Sequence, residues 1–358
     1  MCDIFTYDKR GVHVVRYVSI DSLEPGQFLG KTIFSNNGTV LLSEGVQLTV
    51  FMINTLRRIG VAFVYIKDEQ FDDIEITDVV SDETKRAVMK QMNDVFDSVR
   101  SGKEFSSKQV SMTIDMLLDD VMKNRDVLIQ LTDIRSKDNA AYVHAMNVCM
   151  ISCVIGMNMG LNQIQLKELA IGALLHDIGK VNWTPDDDEN SDIKRHHTWR
   201  GFEALKLKRE YSLLIAHVAF QHHEHVDGTG LPRGVTGESM HPYAKIVAVA
   251  NTYDNLLAGY DESGKRMLPH EACERIMAMT GKQLDKEVIV EFMKTVSVYP
   301  SGTSVRLTNK EIGVVVGQHR GLPGRPVVRV VKQDDNELEV KEFDLAKIPT
   351  LFIDAVLT

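Results

Sequence analysis

The sequence predicts a mainly α chain: an all-helical central domain, with a small α+β module before it and a short β appendage after it. Three observations carry this. Apolar residues recur at helical spacing through most of the middle of the chain. Residues 12–67 are short apolar runs broken by turn residues, and strand-like alternation returns after Pro300. At about 150 residues per domain, 358 residues allow two domains or one large domain with appendages.

Within the first module (residues 1–75), strands are expected at 27–34, 39–42 and 61–66, with Asn36-Asn37-Gly38 as a turn. A helix over 48–56, stopping at Gly60, would cover one face of them. Residues 81–100 place Val88, Met92, Val95 and Val99 three and four apart, with Ser81 and Thr84 available as caps. That amphipathic helix belongs to a connector over 76–124 or pairs two copies in a homodimer. Helices follow at 110–131, 140–159, 165–176, 198–207, 211–222, 243–258 and 269–279, making 125–300 the helical domain. Strands at 304–307, 312–316 and 326–331, separated by glycine-containing turns, form the appendage over 301–358.

Composition narrows the partners. With 41 Lys and Arg against 50 Asp and Glu, no global positive field exists to hold a nucleic acid polymer. The first residues, Met1-Cys2-Asp3-Ile4-Phe5, lack a basic region and a long apolar run, so a cytoplasmic location is expected. Residues 143–161 are the most apolar stretch, but His144, Asn147, Ser152 and Asn158 interrupt it, which argues for a core helix and against membrane insertion. Cys2, Cys149, Cys153 and Cys273 form no CxxC pair and read as small buried hydrophobes.

Nine of the twelve histidines fall between His144 and His241, about a quarter of the chain, and such clustering asks for a metal or acid-base role. His176-Asp177-Ile178-Gly179-Lys180 ends an apolar helix. A carboxylate beside an imidazole can bridge two cations, and Lys180 lies one turn on, within reach of a phosphate oxygen. Alone, the pair also fits a histidine on a helix dipole and a solvated lysine. Gln221-His222-His223-Glu224 followed by Asp227-Gly228-Thr229-Gly230-Leu231-Pro232-Arg233 is more specific, since adjacent histidines at a helix end can aim both rings into one cleft. No GxxxxGK[ST] or GxSxG occurs, which removes P-loop NTPase and serine-hydrolase chemistry. The acidic run Asp186-Asp187-Asp188-Glu189 reads either as a solvated loop or as a metal-capturing one.

In order, the chain carries Tyr142-Val143-His144, His176-Asp177, His197 with Gly201, His222-His223-Glu224 with Asp227-Gly228-Thr229-Gly230, and Ala250-Asn251-Thr252-Tyr253-Asp254. Over roughly residues 125–300 this resembles the HD-GYP branch of the HD phosphohydrolase superfamily. The resemblance implies an all-helical HD-type phosphohydrolase domain, a phosphodiesterase that hydrolyses cyclic di-GMP to pGpG or GMP with divalent metal ions, usually iron or manganese. It implies that His144, His176 and Asp177 hold one metal and that Asp177, His197, His222 and His223 hold the second. Asp177 and Lys180 would be catalytic, with Lys180, Gly230, Arg233 and Arg266 meeting the substrate. Imidazole and carboxylate donors suit Fe or Mn. Two cations would acidify a water between them.

This chain departs from the family pattern in four places. Asn251 stands where the family has an aspartate ligand, so the first metal has a neutral amide donor in place of a carboxylate; Asp254 either compensates or makes hydrogen bonds nearby. Gly230-Leu231-Pro232 replaces Gly-Tyr-Pro, the loop through which the resemblance suggests a diguanylate cyclase-type partner. Ala140 replaces the glutamate of three-metal members, which makes two divalent ions the expected number. The family's Arg-Pro-Tyr is missing, and Tyr260 or Arg266 either replaces it or is a solvated loop residue. A competing reading is a catalytically degenerate module that binds a cyclic dinucleotide or a protein without hydrolysis.

Overall fold

A computed structural model of the chain describes residues 15–35, 37–67, 78–131, 135–181, 194–259, 266–334 and 337–357. Cys2, His13, the acidic run 186–189 and residues 260–265 lie outside them.

The amino-terminal module holds two antiparallel pairs. β1 (Val15–Ser19) pairs with β4 (Phe63–Lys67), and β2 (Ile33–Phe34) with β3 (Val40–Leu42). Helix α1 (Val50–Arg58) begins where Thr49 Oγ1 accepts from Met52 N at 3.2 Å. Its Ile53 and Leu56 share a small core with Leu29, Val64 and Ile66. Of the strand expected at 27–34, only Ile33–Phe34 is regular, because Gln27 and Leu29 turn their backbone groups to Leu48 and Val46.

The helical region comprises α2 (Asp82–Arg100), α3 (Ser107–Lys123), α4 (Ala140–Asn158), α5 (Gln163–Leu175), α6 (His197–Lys206), α7 (Leu213–Gln221), α8 (Pro242–Ala258), α9 (Pro269–Ala278) and α10 (Lys286–Met293). One core joins them: Val88 and Met92 of α2 and Ile114 and Leu117 of α3 cluster with Val148, Leu169, Val218, Val247 and Phe292. The helices expected to act as a connector over 76–124 therefore bury their apolar faces in the helical domain. Among the described residues α4 is the one helix long and apolar enough to cross a membrane, yet 83% of that stretch is buried inside the domain. A helix apolar on every side suits such a central position.

The helix expected at 110–131 ends at Lys123. Beyond it Ile129 is extended and pairs with the segment after α10, Ile129 N donating to Thr295 O and Ser297 N to Ile129 O, both at 2.9 Å. A β-branched apolar run gains more there than in a continued helix. At the carboxy-terminal end, β5 (Ser304–Leu307), β6 (Ile312–Gly317), β7 (Val327–Asp334), β8 (Glu337–Asp344) and β9 (Ile353–Leu357) form an antiparallel sheet in the order β8-β7-β6-β5-β9. Val305, Leu307, Val315, Val328 and Phe343 fill its own core.

Candidate metal centre

Two helices end in the same way, and this builds half of the centre. His176 follows α5 and His222 follows α7; each ring's Nδ1 donates to the carbonyl three residues back, Ala173 O at 2.7 Å and Ala219 O at 2.9 Å. With Nδ1 donating, Nε2 carries the lone pair and faces outward from the helix end. Both histidines are buried.

Asp177 lies between them. Its Oδ2 is 3.5 Å from His176 Nε2 and 3.6 Å from His144 Nε2, whereas Oδ1 is 3.4 Å from His222 Nε2 and 3.6 Å from His197 Nε2. One carboxylate thus serves two sets of imidazoles. Donor atoms of His144, His176 and Asp177 lie within 4.8 Å of one another, as do those of Asp177, His197, His222 and His223. The Lys180 Nζ donates to Asp177 Oδ2 at 2.7 Å from the rim, where its side chain is 39% exposed.

His197 reaches Asp177 because Gly179 has no side chain. A Cβ at Gly179 would overlap the His197 carbonyl oxygen and crowd Gly201 N, so the start of α6 rests directly on this backbone. Gly230 works similarly, its Cα packed against the backbone of Glu224 and His225 with no room for a Cβ. Buried Glu224 then ties the loop down, Oε1 accepting from Arg233 N at 2.8 Å and Oε2 from Val235 N at 3.1 Å. The Arg233 side chain and Leu231 are exposed on that loop.

The electrostatics keep His176, His197 and His223 neutral and the carboxylate charged. Burial drives His176 down to about 3, with His222 and His144 adding to the effect against the pull of Asp177. Burial and the neighbouring His222 bring His197 to about 2. His223 is likewise held well below the ordinary histidine range by burial and by His222 and His197. Burial raises the Asp177 carboxyl, but His176, His222 and Lys180 outweigh it and hold it well below the usual carboxylate range. Neutral imidazoles and an ionised carboxylate are the forms that ligate metals. His222 Nε2 and Asp177 Oδ1 are buried with no hydrogen-bond partner among the described residues, although inward-facing polar atoms are costly to leave so. A divalent cation fits this donor set and would satisfy both atoms.

The remaining expected residues fall elsewhere. Asn251 is buried on α8 and its Oδ1 accepts from Asn255 Nδ2 at 2.9 Å. Arg266 does not join the cluster through any described contact: Nη2 donates to Gly60 O at 3.4 Å, toward the amino-terminal module. Arg266 also lines a cavity with Tyr17, Ala62 and Phe63 of that module, a placement that local sequence cannot show. Among the histidines outside the ligand set, His196 and His241 cap α6 and α8, His225 meets Thr229 Oγ1 at 3.0 Å, and His319 meets Asp344 at 2.8 Å. His217 lies against Phe202, and His270 stacks on Tyr299.

Two residues stand behind His144: Asp254, in the hydrogen-bonding role that the sequence offered it as one of two alternatives, and Arg135, which no motif singles out. Asp254 Oδ2 accepts from His144 Nδ1 at 2.6 Å, and Asp254 Oδ1 accepts from Asn147 Nδ2 at 2.9 Å and from Arg135. Burial raises the Asp254 carboxyl, but Arg135 and His144 prevail and bring it to about 2.

Residues 126–288 match the HD domain family. Residues 126–288 are an HD domain. After this HD domain, residues 304–358 match a KOW domain associated with HD domain, which covers the five-stranded sheet. A cyclic di-GMP phosphodiesterase of Pseudomonas aeruginosa is 28% identical over 257 residues, covering 69% of this chain and 60% of that one. A cyclic di-GMP phosphodiesterase of Thermotoga maritima is 31% identical over 179 residues, covering 47% and 48%. A 3'3'-cGAMP-specific phosphodiesterase of Vibrio cholerae is 29% identical over 131 residues, covering 34% and 30%. The chain thus spans between about a third and three-fifths of the length of these relatives.

Proposed function

We propose that this chain is a metal-dependent phosphodiesterase that hydrolyses cyclic di-GMP to pGpG, and onward to GMP. The observation that carries the reading is the division of Asp177, each oxygen facing its own pair of imidazoles. His144, His176 and Asp177 hold one divalent ion, Fe or Mn, and Asp177, His197, His222 and His223 hold the other. Asn251 lies on the α8 side as a neutral donor. When bound, such cations supply Lewis-acid activation of water and neutralise charge on phosphoryl oxygens.

The protein's own groups do the positioning. Lys180 stands at the rim and places a cation where a phosphate oxygen enters beside Asp177. The backbone of the Gly230 loop and the exposed Arg233 form the next part of the rim, and Glu224 fixes that loop in place. Burial keeps His176, His197 and His223 neutral, so no proton need leave these three rings before an ion binds. The matches to the cyclic di-GMP phosphodiesterases cover 69% and 47% of this chain against 34% for the 3'3'-cGAMP-specific one, which favours cyclic di-GMP.

The test is turnover of both cyclic dinucleotides by protein loaded anaerobically with Mn(II) or Fe(II). Hydrolysis of cyclic di-GMP, lowered about 100-fold or more in kcat/KM by Lys180→Ala, is the expected result. Intact protein that hydrolyses neither dinucleotide with either metal would refute the reading.

A further inference from the structure

Asp254 is fully buried on α8 and belongs to neither group of donors around Asp177. Its partners converge from three places: His144 and Asn147, one turn apart on α4, and Arg135 from the segment before that helix. Because His144 Nδ1 donates to Asp254, the lone pair of that ring sits on Nε2, which lies 3.2 Å from His176 Nε2 and 3.6 Å from Asp177 Oδ2. The nitrogen of an imidazole that does not bind the metal decides which tautomer and orientation the other presents. The ring is thus aimed from behind.

Arg135 holds the carboxylate from its far side and is itself only 10% exposed. It also lines a cavity of about 50 Å³ together with Tyr17, Ala62 and Phe63 of the amino-terminal module, and Leu257 and Met267 of the helical domain. Tyr17 and Phe63 stack with centroids 5.0 Å apart and form one wall of it. Lys137 N donates to Ile59 O at 2.8 Å and Asn139 Nδ2 to Phe34 O at 3.0 Å, so the segment carrying Arg135 is bonded to the module on both sides of α1.

We propose that Asp254 and Arg135 are positioning residues that present His144 to the first metal ion, and that seating of the amino-terminal module beside Arg135 tunes the affinity of that ion. The path from module to centre runs through one cavity: Phe63 and Tyr17 line it with Arg135, Arg135 grips Asp254, and Asp254 orients His144. Asn251 adds to its importance, since this chain offers a neutral amide where the resemblance expects a carboxylate, leaving the first ion more dependent on a well-aimed imidazole. The inference rests on the two-ion reading above.

The experiment is Mn(II) titration of the full chain, read as bound ions and dissociation constants, with circular dichroism to establish folding. Asp254→Ala and Asp254→Asn are expected to weaken one of two ions, by about 10- to 100-fold for the alanine variant, and to leave the other unchanged. Arg135→Ala should act in the same direction and Arg135→Lys should restore part of the loss. Phe63→Ala, remote from every donor atom, should weaken the same ion several-fold. The nearly isosteric Asp254→Asn keeps the test decisive if the alanine variant does not fold. Two ions bound at wild-type affinity by folded Asp254→Asn and Arg135→Ala would overturn the positioning roles alone, and an unchanged Phe63→Ala would overturn the role of the module. A wild-type chain that binds no ion would instead overturn the two-ion reading itself.

Discussion

Gly179 sets how closely α6 approaches the carboxylate that it serves. Gly179→Ala puts a methyl group into the His197 carbonyl, and such overpacking costs about 1–3 kcal/mol. Thermal denaturation should show that loss, and ion binding at the His197 side should weaken with it, because relief requires α6 to move away from Asp177. Asn251→Asp acts in the opposite direction. A carboxylate at this buried position adds negative charge near the first ion, so its dissociation constant should fall in a metal titration; an unchanged constant would place Asn251 outside the centre. The grouping of the histidines and Asp177 was legible in the sequence because they sit in short motifs, all but His144 at a helix end, where local chemistry already aims the side chain. Asp254 was legible as a candidate hydrogen-bonding neighbour of the site, whereas Arg135 was not, being 119 positions away from it and joined to it only by tertiary packing. The contact of Arg266 with Gly60 was hidden for the same reason.

At the scale of elements, helices α4 to α9 were readable from apolar spacing and caps, and their ends fall within a few residues of expectation. The run 124–131 was not, since a short apolar β-branched stretch satisfies helix and extended pairing alike until Thr295 and Ser297 supply partners. Eight-residue α10 and strands β1, β8 and β9 also went unread, although β8 alternates Glu337, Leu338, Glu339, Val340 plainly enough to have been found. The loop after α7 depends on one residue. Glu224→Ala leaves Arg233 N and Val235 N without their acceptor and should cost about 1–3 kcal/mol. Limited proteolysis should then cut within residues 227–236 faster than in wild type, with Glu224→Gln intermediate; equal cleavage rates would mean that the loop is held by other contacts.

For the molecule as a whole, Asp78 ties the amino-terminal module to the helical domain through Lys31 at 2.7 Å and Lys85 of α2 at 2.8 Å. Burial raises its carboxyl, but the two lysines overcome this and bring it down from 3.8 to about 2. Its stabilisation is therefore complete above about pH 4 and fades as pH falls toward 2, where the folded state also takes up the proton. Asp78→Asn should flatten that part of the acid-denaturation profile, and an unchanged acid limb would assign it to other carboxylates. Separate apolar cores in the module, the helical domain and the sheet explain how the first and last can accompany the helical domain without reshaping its interior. The central claim is that one carboxylate and five imidazoles seat a pair of cations, and elemental analysis of anaerobically purified protein tests it most directly. About two iron or manganese ions per wild-type chain and almost none in folded Asp177→Ala is the predicted result; fewer than one ion per wild-type chain, or full occupancy without Asp177, would contradict it.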